Sequence, residues 1–525
     1  MSALSLRLTN PQLRWAILAV VAGIGIALLP LPVALAVAAV TVIAFACVVD
    51  YSAALLVLFT AAPLKALIET EVPGALNWGL DIGQMLFLAV TVLWIGQRIL
   101  RRDRFIFAWS PTLVPIIIVI VSAGFSVWTT LSYQRTIKEL VIWVAIAVMC
   151  ALVTSHARRN ASRYALAGMV AALLIGGCVQ SLIGLYEFLG GSGAAHLWIL
   201  DYRFFRAFGS FGQPNPFGGY MGLLLALCVG VSSEIIKDFF IQIRFKYQQD
   251  HSLPSEATRR GHIGDKKSMM LKSSSLAILI IAATGILALG LGISWSRGAW
   301  VGFAAALVVM LILYPRRRAI GIGLAALLIG GGALAVVTGI APPSIIQRFS
   351  DFTQDLTGFG DVRGQVISDA NYAVLERFAH WQAAFWMAED SPYTGIGFGA
   401  YEVAYPKYEL MNWTFALGHA HNYYLNMLAE TGLIGLIGYV AAWGMILLLS
   451  LRALDRSTGW RRGLALGLLG VWTHLLVHSL FDKLYVNNLF LHIGAMLGLI
   501  GALLPPYDDK GAASIAQQAQ NNREG

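Results

Sequence analysis

The chain has 525 residues, of which 58% are hydrophobic and only 12% are charged. A soluble protein of this length needs a far more charged surface, so the composition excludes an ordinary soluble domain and indicates a polytopic membrane protein. The net charge of +9 could suggest a nucleic-acid partner, but most basic residues lie in short segments between apolar runs, which is typical of the cytoplasmic side of a membrane protein. We therefore expect membrane lipids as partners, and no nucleic acid.

The apolar runs predict an all-α polytopic membrane protein. A helix needs about 20 apolar residues to cross the hydrocarbon core, and about fourteen runs approach that length. The first two form a transmembrane hairpin rather than a cleaved signal peptide, because the second run follows the first almost at once. The predicted spans are 13–30, 32–49, 51–68, 84–98, 111–129, 137–154, 164–189, 217–235, 275–293, 299–314, 319–338, 432–450, 462–480 and 488–504.

The distribution of Lys and Arg predicts the orientation. With the N-terminus inside, the basic clusters between spans fall consistently on the inner side, so we expect both termini in the cytoplasm and the protein in the cytoplasmic membrane. The segment 237–274 is basic and polar, which predicts a solvated inner loop near anionic headgroups. The tail at 506–525 has the composition of a disordered segment.

A polar stretch at 341–431 is far longer than a connection between neighbouring helices needs, which predicts a large, ordered and partly helical outer loop. Glu376 to Met387 repeats apolar residues at helical spacing, which predicts an amphipathic helix on the outer membrane surface. The predicted organisation is N-terminal transmembrane helices at 1–200, central helices with arginine-bearing outer turns at 201–340, the outer loop at 341–431, C-terminal helices at 432–505 and the tail at 506–525.

Two outer turns carry arginines. Arg203 and Arg206 precede a turn rich in Gly and Pro, in which backbone can approach a ligand closely and the arginine fork suits phosphate oxygens. The alternative is an interfacial turn whose arginines snorkel to headgroups. Arg297 lies between two long apolar runs, where an arginine costs about 2.5 to 3.5 kcal/mol on insertion scales. A partner is therefore expected there, and we prefer an anion to a buried structural ion pair.

Histidines just ahead of the span at 432 are the candidates for proton chemistry. His421 precedes a predicted helix that begins near Asn422 and stops at Gly432, and an imidazole is a suitable general base for a hydroxyl nucleophile. Asn422 could hold His421 or a substrate, and His419 is the second choice of base. Two histidines two residues apart are a weak metal signal, so we expect no metal, and loop capping is the structural alternative.

His478 and Asp482 flank the outer end of a later span. A histidine and an aspartate in that position could support the histidine site or pair with each other. We include both as supporting residues.

These motifs together resemble the superfamily of O-antigen ligases and O-antigen polymerases, over about residues 200 to 440. The order of the motifs and their separation by a long outer loop carry the resemblance more than any single motif does. They are Arg206-x-x-Gly209-x-Phe211-Gly212-x-Pro214-Asn215, Ser296-Arg297-Gly298-Ala299-Trp300, His380-Trp381-Gln382-Ala383-Ala384, Pro392-Tyr393-Thr394-Gly395-Ile396-Gly397 and His421-Asn422-x-x-Leu425 with Glu430-x-Gly432.

The resemblance implies a metal-independent, inverting glycosyltransferase without cofactor. Such an enzyme moves a glycan from a polyprenyl (undecaprenyl) pyrophosphate carrier to a glycan, lipid or protein acceptor at the outer face of the membrane, in cell-surface polysaccharide biosynthesis. By resemblance, Arg206 and Arg297 hold the pyrophosphate and His421 deprotonates the acceptor, while Arg203 is an extra arginine that could replace Arg206. Ligase and polymerase remain open, and so does a transporter or lipid-linked sugar flippase.

Overall fold

The computed structural model describes residues 44, 47, 50–65, 81–102, 107–159, 163–191, 197–200, 203–252, 256–344, 346–347, 361–367 and 371–505. The predicted span 13–30, nearly all of 32–49 and the predicted tail lie outside these residues.

Helices make up most of the described chain, as predicted. A single hairpin pairs β1, Trp198–Ile199, with β2, Phe204–Phe205, in antiparallel register. In chain order the helices are α1 Tyr51–Ala61, α2 Ile82–Leu100, α3 Leu113–Gly124, α4 Tyr133–Arg159, α5 Arg163–Phe188, α6 Pro214–Ser252, α7 Glu256–Ile293, α8 Arg297–Leu313, α9 Arg318–Val337, α10 Tyr372–Asp390, α11 Tyr401–Tyr408, α12 Tyr423–Arg456, α13 Gly459–His478 and α14 Leu489–Leu503. Short 3₁₀ turns at Ala62–Leu64, Phe125–Trp128 and Gly209–Phe211 extend or join them.

Seven of these helices are long and apolar enough to cross a membrane, judged by length and composition: α2, α4, α5, α6, α7, α9 and α12. Shorter apolar helices include α3, α8 and α14. These elements confirm an integral membrane protein of the polytopic class, while the total of about fourteen spans stays a prediction.

The segment 237–274 does not form the predicted loop. Helix α6 continues to Ser252 and α7 begins at Glu256, so most of this polar stretch is helical. The sequence explains the difference, because Lys, Arg, Gln and Met are good helix formers and the stretch contains one proline, Pro254. Polarity predicted solvent exposure there, but it did not exclude helix.

Gly432 places a sharp kink within α12. Its φ of 62° lies in the left-handed region, and a Cβ there would lie 2.3 Å from the carbonyl carbon of Tyr393, so only glycine fits. The kink frees backbone N–H groups, and Leu433 N and Ile434 N donate instead to the carbonyl oxygens of Pro392 and Tyr393 at 2.8 and 3.2 Å. The predicted break at Gly432 is thus confirmed, within one continuous helical element.

Helices α10 and α11 form a cap, defined here as residues 371–422, with a small core of its own. The predicted helix at Glu376 to Met387 is confirmed and extends from Tyr372 to Asp390. The predicted apolar face of α10 is only partly exposed, since Phe385 is 46% exposed whereas Ala388 is buried and Phe378 packs against a buried cluster of the cap. That α10 lies on the membrane surface stays a prediction.

Candidate functional site

A loop between α13 and α14, residues 479–488, joins parts of the chain that are far apart in sequence. Asn487 donates from Nδ2 to the carbonyl oxygen of Phe211 at 3.0 Å, and Asn488 donates to Oδ1 of Asp81 at 2.9 Å. Both asparagines have positive φ, 46° and 63°, a conformation that asparagine tolerates better than most residues. This loop therefore fixes the turn after Arg206 against the start of α2.

The two arginine-bearing turns share one side chain, Asn215. The Arg206 guanidinium donates to Oδ1 of Asn215 and to the carbonyl oxygen of Ser294, both at 3.3 Å, and the Ser296 hydroxyl donates to the same Oδ1 at 3.0 Å. Arg297 follows Ser296 as the first residue of α8 and is partly buried. Arg203 is exposed, so the geometry favours Arg206 over Arg203 as the arginine of this turn.

The buried carboxylate of Glu187 binds the backbone of the turn that follows Arg206. Its Oε2 accepts from the backbone N–H groups of Phe208 and Gly209 at 2.9 and 2.6 Å. Gly209 has φ +53°, and a Cβ there would lie 2.8 Å from the ring of Phe217, so the turn needs glycine at this position. These contacts fix the backbone that carries Arg206.

The Arg297 turn packs directly on the 479–488 loop. A Cβ on Gly298 would lie 2.9 Å from Cβ of Phe481, the residue next to Asp482. The start of α12 joins the same loop, because Tyr423 N donates to the carbonyl oxygen of Ser479 at 2.7 Å. The turns at 206–215, 294–298 and 419–424 thus meet the 479–488 loop at one end of the helical bundle, called the site end below.

Asp482 and His419 form a close pair at the site end. Nε2 of His419 lies 2.8 Å from Oδ1 of Asp482, and the backbone N–H of Lys483 donates to the same oxygen at 2.8 Å. Burial raises the pKa of Asp482, but the hydrogen bond and charge of His419 outweigh it and hold that pKa below its usual range. Asp482 is therefore ionised and accepts from Nε2 of His419, while Nδ1 of His419 has no hydrogen-bond partner among the described residues.

His421 lies beside that pair with a left-handed backbone, φ 52°. Its ring centre is 4.6 Å from the ring of His419 and 5.4 Å from that of His380. Neither ring nitrogen has a hydrogen-bond partner among the described residues. Burial, with a smaller effect of His419, lowers the pKa of His421 to about 3, so the ring is neutral at pH 7.

The other two predicted supporting residues have structural contacts. Asn422 is the N-cap of α12, and its Oδ1 accepts from the backbone N–H groups of Tyr424 and Leu425 at 3.0 and 3.2 Å. His478 is buried against α6, where a Cβ on Gly219 would lie 3.1 Å from its Nε2. Asp482 takes its side-chain hydrogen bond from His419 rather than from His478.

Comparison with protein families gives an independent assignment. Residues 282–440 match the family model described as O-antigen ligase. This part of the chain is therefore similar to O-antigen ligases. The match confirms the resemblance to the superfamily of ligases and polymerases, and it includes Arg297 and His421 but ends before Asp482. No curated protein matched the chain.

The histidine cluster, defined here as His419, His421 and Asp482, also has the residue types of a metal site. Donor atoms of these three residues lie within 4.8 Å of one another. Imidazole and carboxylate groups are also the ones that proton transfer uses. That the reaction needs no metal stays a prediction.

Three polar residues at the site end, Lys483, Glu139 and Glu430, were not predicted as site residues. Lys483 is 10% exposed, and its Nζ lies 2.7 Å from Oε1 of Glu139 on α4. Glu430 is buried and accepts from the backbone N–H of Tyr401 at 3.1 Å. A carboxylate within a predicted span, as Glu139 is within 137–154, was the signal that could have found this pair.

Replacing Lys483 by methionine is expected to destabilise the fold at the site end. The change leaves the mostly buried Glu139 carboxylate without its partner, and breaking a buried pair costs about 3 to 5 kcal/mol. The double variant Lys483→Met, Glu139→Leu removes both partners of this ion pair and is expected to recover much of that loss. The midpoint of thermal unfolding in detergent measures both effects.

The matched control is Lys407→Met, which removes an exposed cap lysine paired with Asp390 and is expected to change the midpoint little. Equal midpoints for Lys483→Met and Lys407→Met would show that the Lys483 pair does not hold the loop.

Proposed function

We propose that this protein is an O-antigen ligase-like glycosyltransferase that moves a glycan from a polyprenyl pyrophosphate carrier to an acceptor hydroxyl. The observation that supports this most is the meeting of the two arginine-bearing turns with the loop that carries Asp482, next to His419 and His421. Cations for a departing pyrophosphate and an imidazole for an incoming hydroxyl are what such a transfer needs. The O-antigen ligase match over residues 282–440 supports the same chemistry.

In the proposed reaction Arg206 and Arg297 bind the pyrophosphate and His421 faces the acceptor hydroxyl. The acceptor oxygen forms a bond to the anomeric carbon as the bond from that carbon to the pyrophosphate oxygen breaks, with inversion. The electron pair leaves on the pyrophosphate, where the guanidinium groups stabilise the charge, and the hydroxyl proton passes to His421. The donor is already activated, so the step needs neither nucleotide nor metal.

The proposal assigns His419 and Asp482 a supporting role. When His421 takes the proton it becomes an imidazolium, and the ionised Asp482 is the nearest negative charge that can stabilise it. His419, hydrogen-bonded to that carboxylate, fixes its position. His419 is the second choice of base, because its free Nδ1 can also accept a proton.

We also propose that the site end faces the outside of the cytoplasmic membrane and that both termini are cytoplasmic. The opposite ends of the same helices carry basic residues, for example Arg462, which binds Glu234 at 2.9 Å and the carbonyl oxygen of Tyr314. Basic residues at one end of a helical bundle mark the cytoplasmic side. In this orientation the lipid-linked donor binds at the outer face of the cytoplasmic membrane.

The alternative of a transporter or flippase receives less support. A transporter needs ionisable residues near the middle of the bilayer, for which Lys65 and His474 are the candidates. Both are engaged in the fold, since Lys65 pairs with Asp81 at 3.6 Å and Nε2 of His474 lies 2.9 Å from the carbonyl oxygen of Gly219. A polymerase uses the same donor chemistry and differs from a ligase only in its acceptor. The test must therefore distinguish a ligase, a polymerase and a transporter.

Deleting the gene and analysing the lipid-linked intermediates separates them. Accumulated polymer on the carrier is expected, because a ligase consumes it. Accumulated single repeats would indicate a polymerase, and unchanged intermediates would refute transfer. With purified protein, lipid-linked donor and acceptor, transfer is expected to continue in the presence of a metal chelator.

A further inference from the structure

Helix α10 of the cap crosses directly over the histidine cluster. His380, on its buried face, has a ring 5.4 Å from that of His421, and its Nδ1 lies 3.0 Å from the hydroxyl of Tyr401. Arg377 precedes His380 by three residues, and residues three apart lie on the same face of a helix. Arg377 is thus on the face of α10 that meets the cluster.

The guanidinium group of Arg377 has no fixed hydrogen-bond acceptor among the described residues. Its side chain is partly buried, yet its guanidinium has no hydrogen bond and no close ion pair with the described residues, and the ion-pair partner of Asp482 is His419. Burial lowers the pKa of Arg377, and the charges of Asp482 and Glu376 oppose that effect. Asp482 and His421 are therefore within electrostatic reach of this guanidinium.

Two other arginines of the described chain do have fixed acceptors. Arg206 donates to Asn215 and Ser294, and Arg158 donates to the carbonyl oxygens of Trp109 and Gly501 at 2.7 Å. A guanidinium has five donors, and a partly buried one without acceptors is costly. An anionic ligand would supply the acceptors that Arg377 lacks among the described residues.

We propose that Arg377 is a third arginine of the donor site and binds pyrophosphate oxygens from the cap side. The inference rests on the proposed function and extends it. Each pyrophosphate oxygen can accept more than one hydrogen bond, so two guanidinium forks leave acceptor capacity unused, and Arg206 and Arg297 lie in turns of the bundle. A third cation on α10 makes the cap part of the donor site, with the histidine cluster between the cap and the two turns.

The test compares Arg377→Gln, Arg377→Lys and the parent protein, each full length and purified in detergent. Two quantities are measured: the KM for the lipid-linked donor against kcat, and the Kd for free polyprenyl pyrophosphate, which needs no turnover. Arg377→Gln is expected to raise both the donor KM and this Kd about 10- to 100-fold, the range of one charge-assisted hydrogen bond. Arg377→Lys keeps the charge and is expected to lose less. The KM for the acceptor is expected to stay the same.

The matched control is Arg363→Gln, an exposed arginine just before the cap in sequence that pairs with Asp361 and lies over the ring of Trp386 at 5.7 Å. It is expected to change neither quantity. Unchanged donor KM and Kd in Arg377→Gln overturn the inference, and so does a shifted pH profile without a change in either, since that means Arg377 only positions Asp482. If Arg377→Gln does not fold, parental values in Arg377→Lys overturn it.

The same binding assay on Arg206→Gln and Arg297→Gln distinguishes a failure of the inference about Arg377 from a failure of the proposed function. Weaker binding in those two variants with parental binding in Arg377→Gln refutes the third arginine alone. Parental binding in all three refutes the donor site, and the proposed function with it.

Discussion

Replacing His421 by alanine is expected to reduce glycan transfer by about 10² to 10⁴, the range for loss of a general base. The ring is neutral at pH 7, and both nitrogens are free of hydrogen bonds within the described part of the chain, so the nitrogen that carries no proton can accept one from an acceptor hydroxyl. The side chain does not serve as the helix cap, which Asn422 provides, so the variant is expected to fold and insert normally. Transfer rates with purified protein and donor in excess measure the effect.

The pH dependence of transfer gives the same prediction a second readout. With a pKa of about 3 in the free protein, His421 is protonated only in strong acid, and an imidazole with so low a pKa is a weak base. A bound pyrophosphate raises that pKa, because a neighbouring negative charge favours the imidazolium. The acid limb of kcat, which reports the donor-bound enzyme, is therefore expected at higher pH than the acid limb of kcat/KM.

The low pKa of His421 also affects stability. The unfolded chain binds this proton near pH 6.5, whereas the folded protein does not until about pH 3. The contribution of the neutral ring to stability is therefore full above pH 6.5 and is lost as the pH falls through that interval.

His419→Ala is the matched comparison for His421→Ala. If His421 is the base, removing His419 frees Asp482 from its 2.8 Å partner and is expected to cost less than removing His421. A larger loss in His419→Ala, with near-parental transfer in His421→Ala, would make His419 the base and remove His421 from the mechanism.

Local sequence signals predicted the parts of the site that lie next to each other in the chain. The start of a helix near Asn422 and its break at Gly432 follow from residue preferences that act over a few positions, whereas the N-cap contact of Asn422 was seen only in the structure. The helix of the cap followed from its periodicity. The solvated loop predicted at 237–274 failed for a related reason, since charge alone does not distinguish a loop from a polar helix.

The connections between these parts depend on tertiary packing and were not readable from the sequence. Asp482 is 63 residues from His419, and Lys483 is 344 residues from Glu139. Asn215 was quoted only as part of a motif, yet its Oδ1 links Arg206 to the turn before Arg297. Arg377 lies in a helix whose visible pattern is apolar, so its place over the histidines emerges only when the cap is folded onto the bundle.

Replacing Arg297 by lysine is expected to lower kcat/KM for the donor by about 10- to 100-fold, although the charge is kept. Arg297 begins α8, where backbone N–H groups and the helix dipole already favour an anion, and its planar fork can bind two pyrophosphate oxygens at once. Lysine offers a point charge in place of the fork, so one charge-assisted hydrogen bond of about 1.5 to 3 kcal/mol is lost.

Arg203→Lys is the control for Arg297→Lys, because Arg203 is exposed in the neighbouring turn and is expected to tolerate the change. Donor KM and kcat for both variants are measured against the parent under identical salt, since phosphate contacts weaken as ionic strength rises. Parental kinetics in Arg297→Lys would exclude bidentate binding at this position. A larger loss in Arg203→Lys would indicate that Arg203, rather than an arginine of the two turns linked by Asn215, binds the pyrophosphate. We expect a clear loss of kcat/KM for Arg297→Lys and none for Arg203→Lys. Of these two arginines, Arg297 lies in the turn that packs against the loop carrying Asp482.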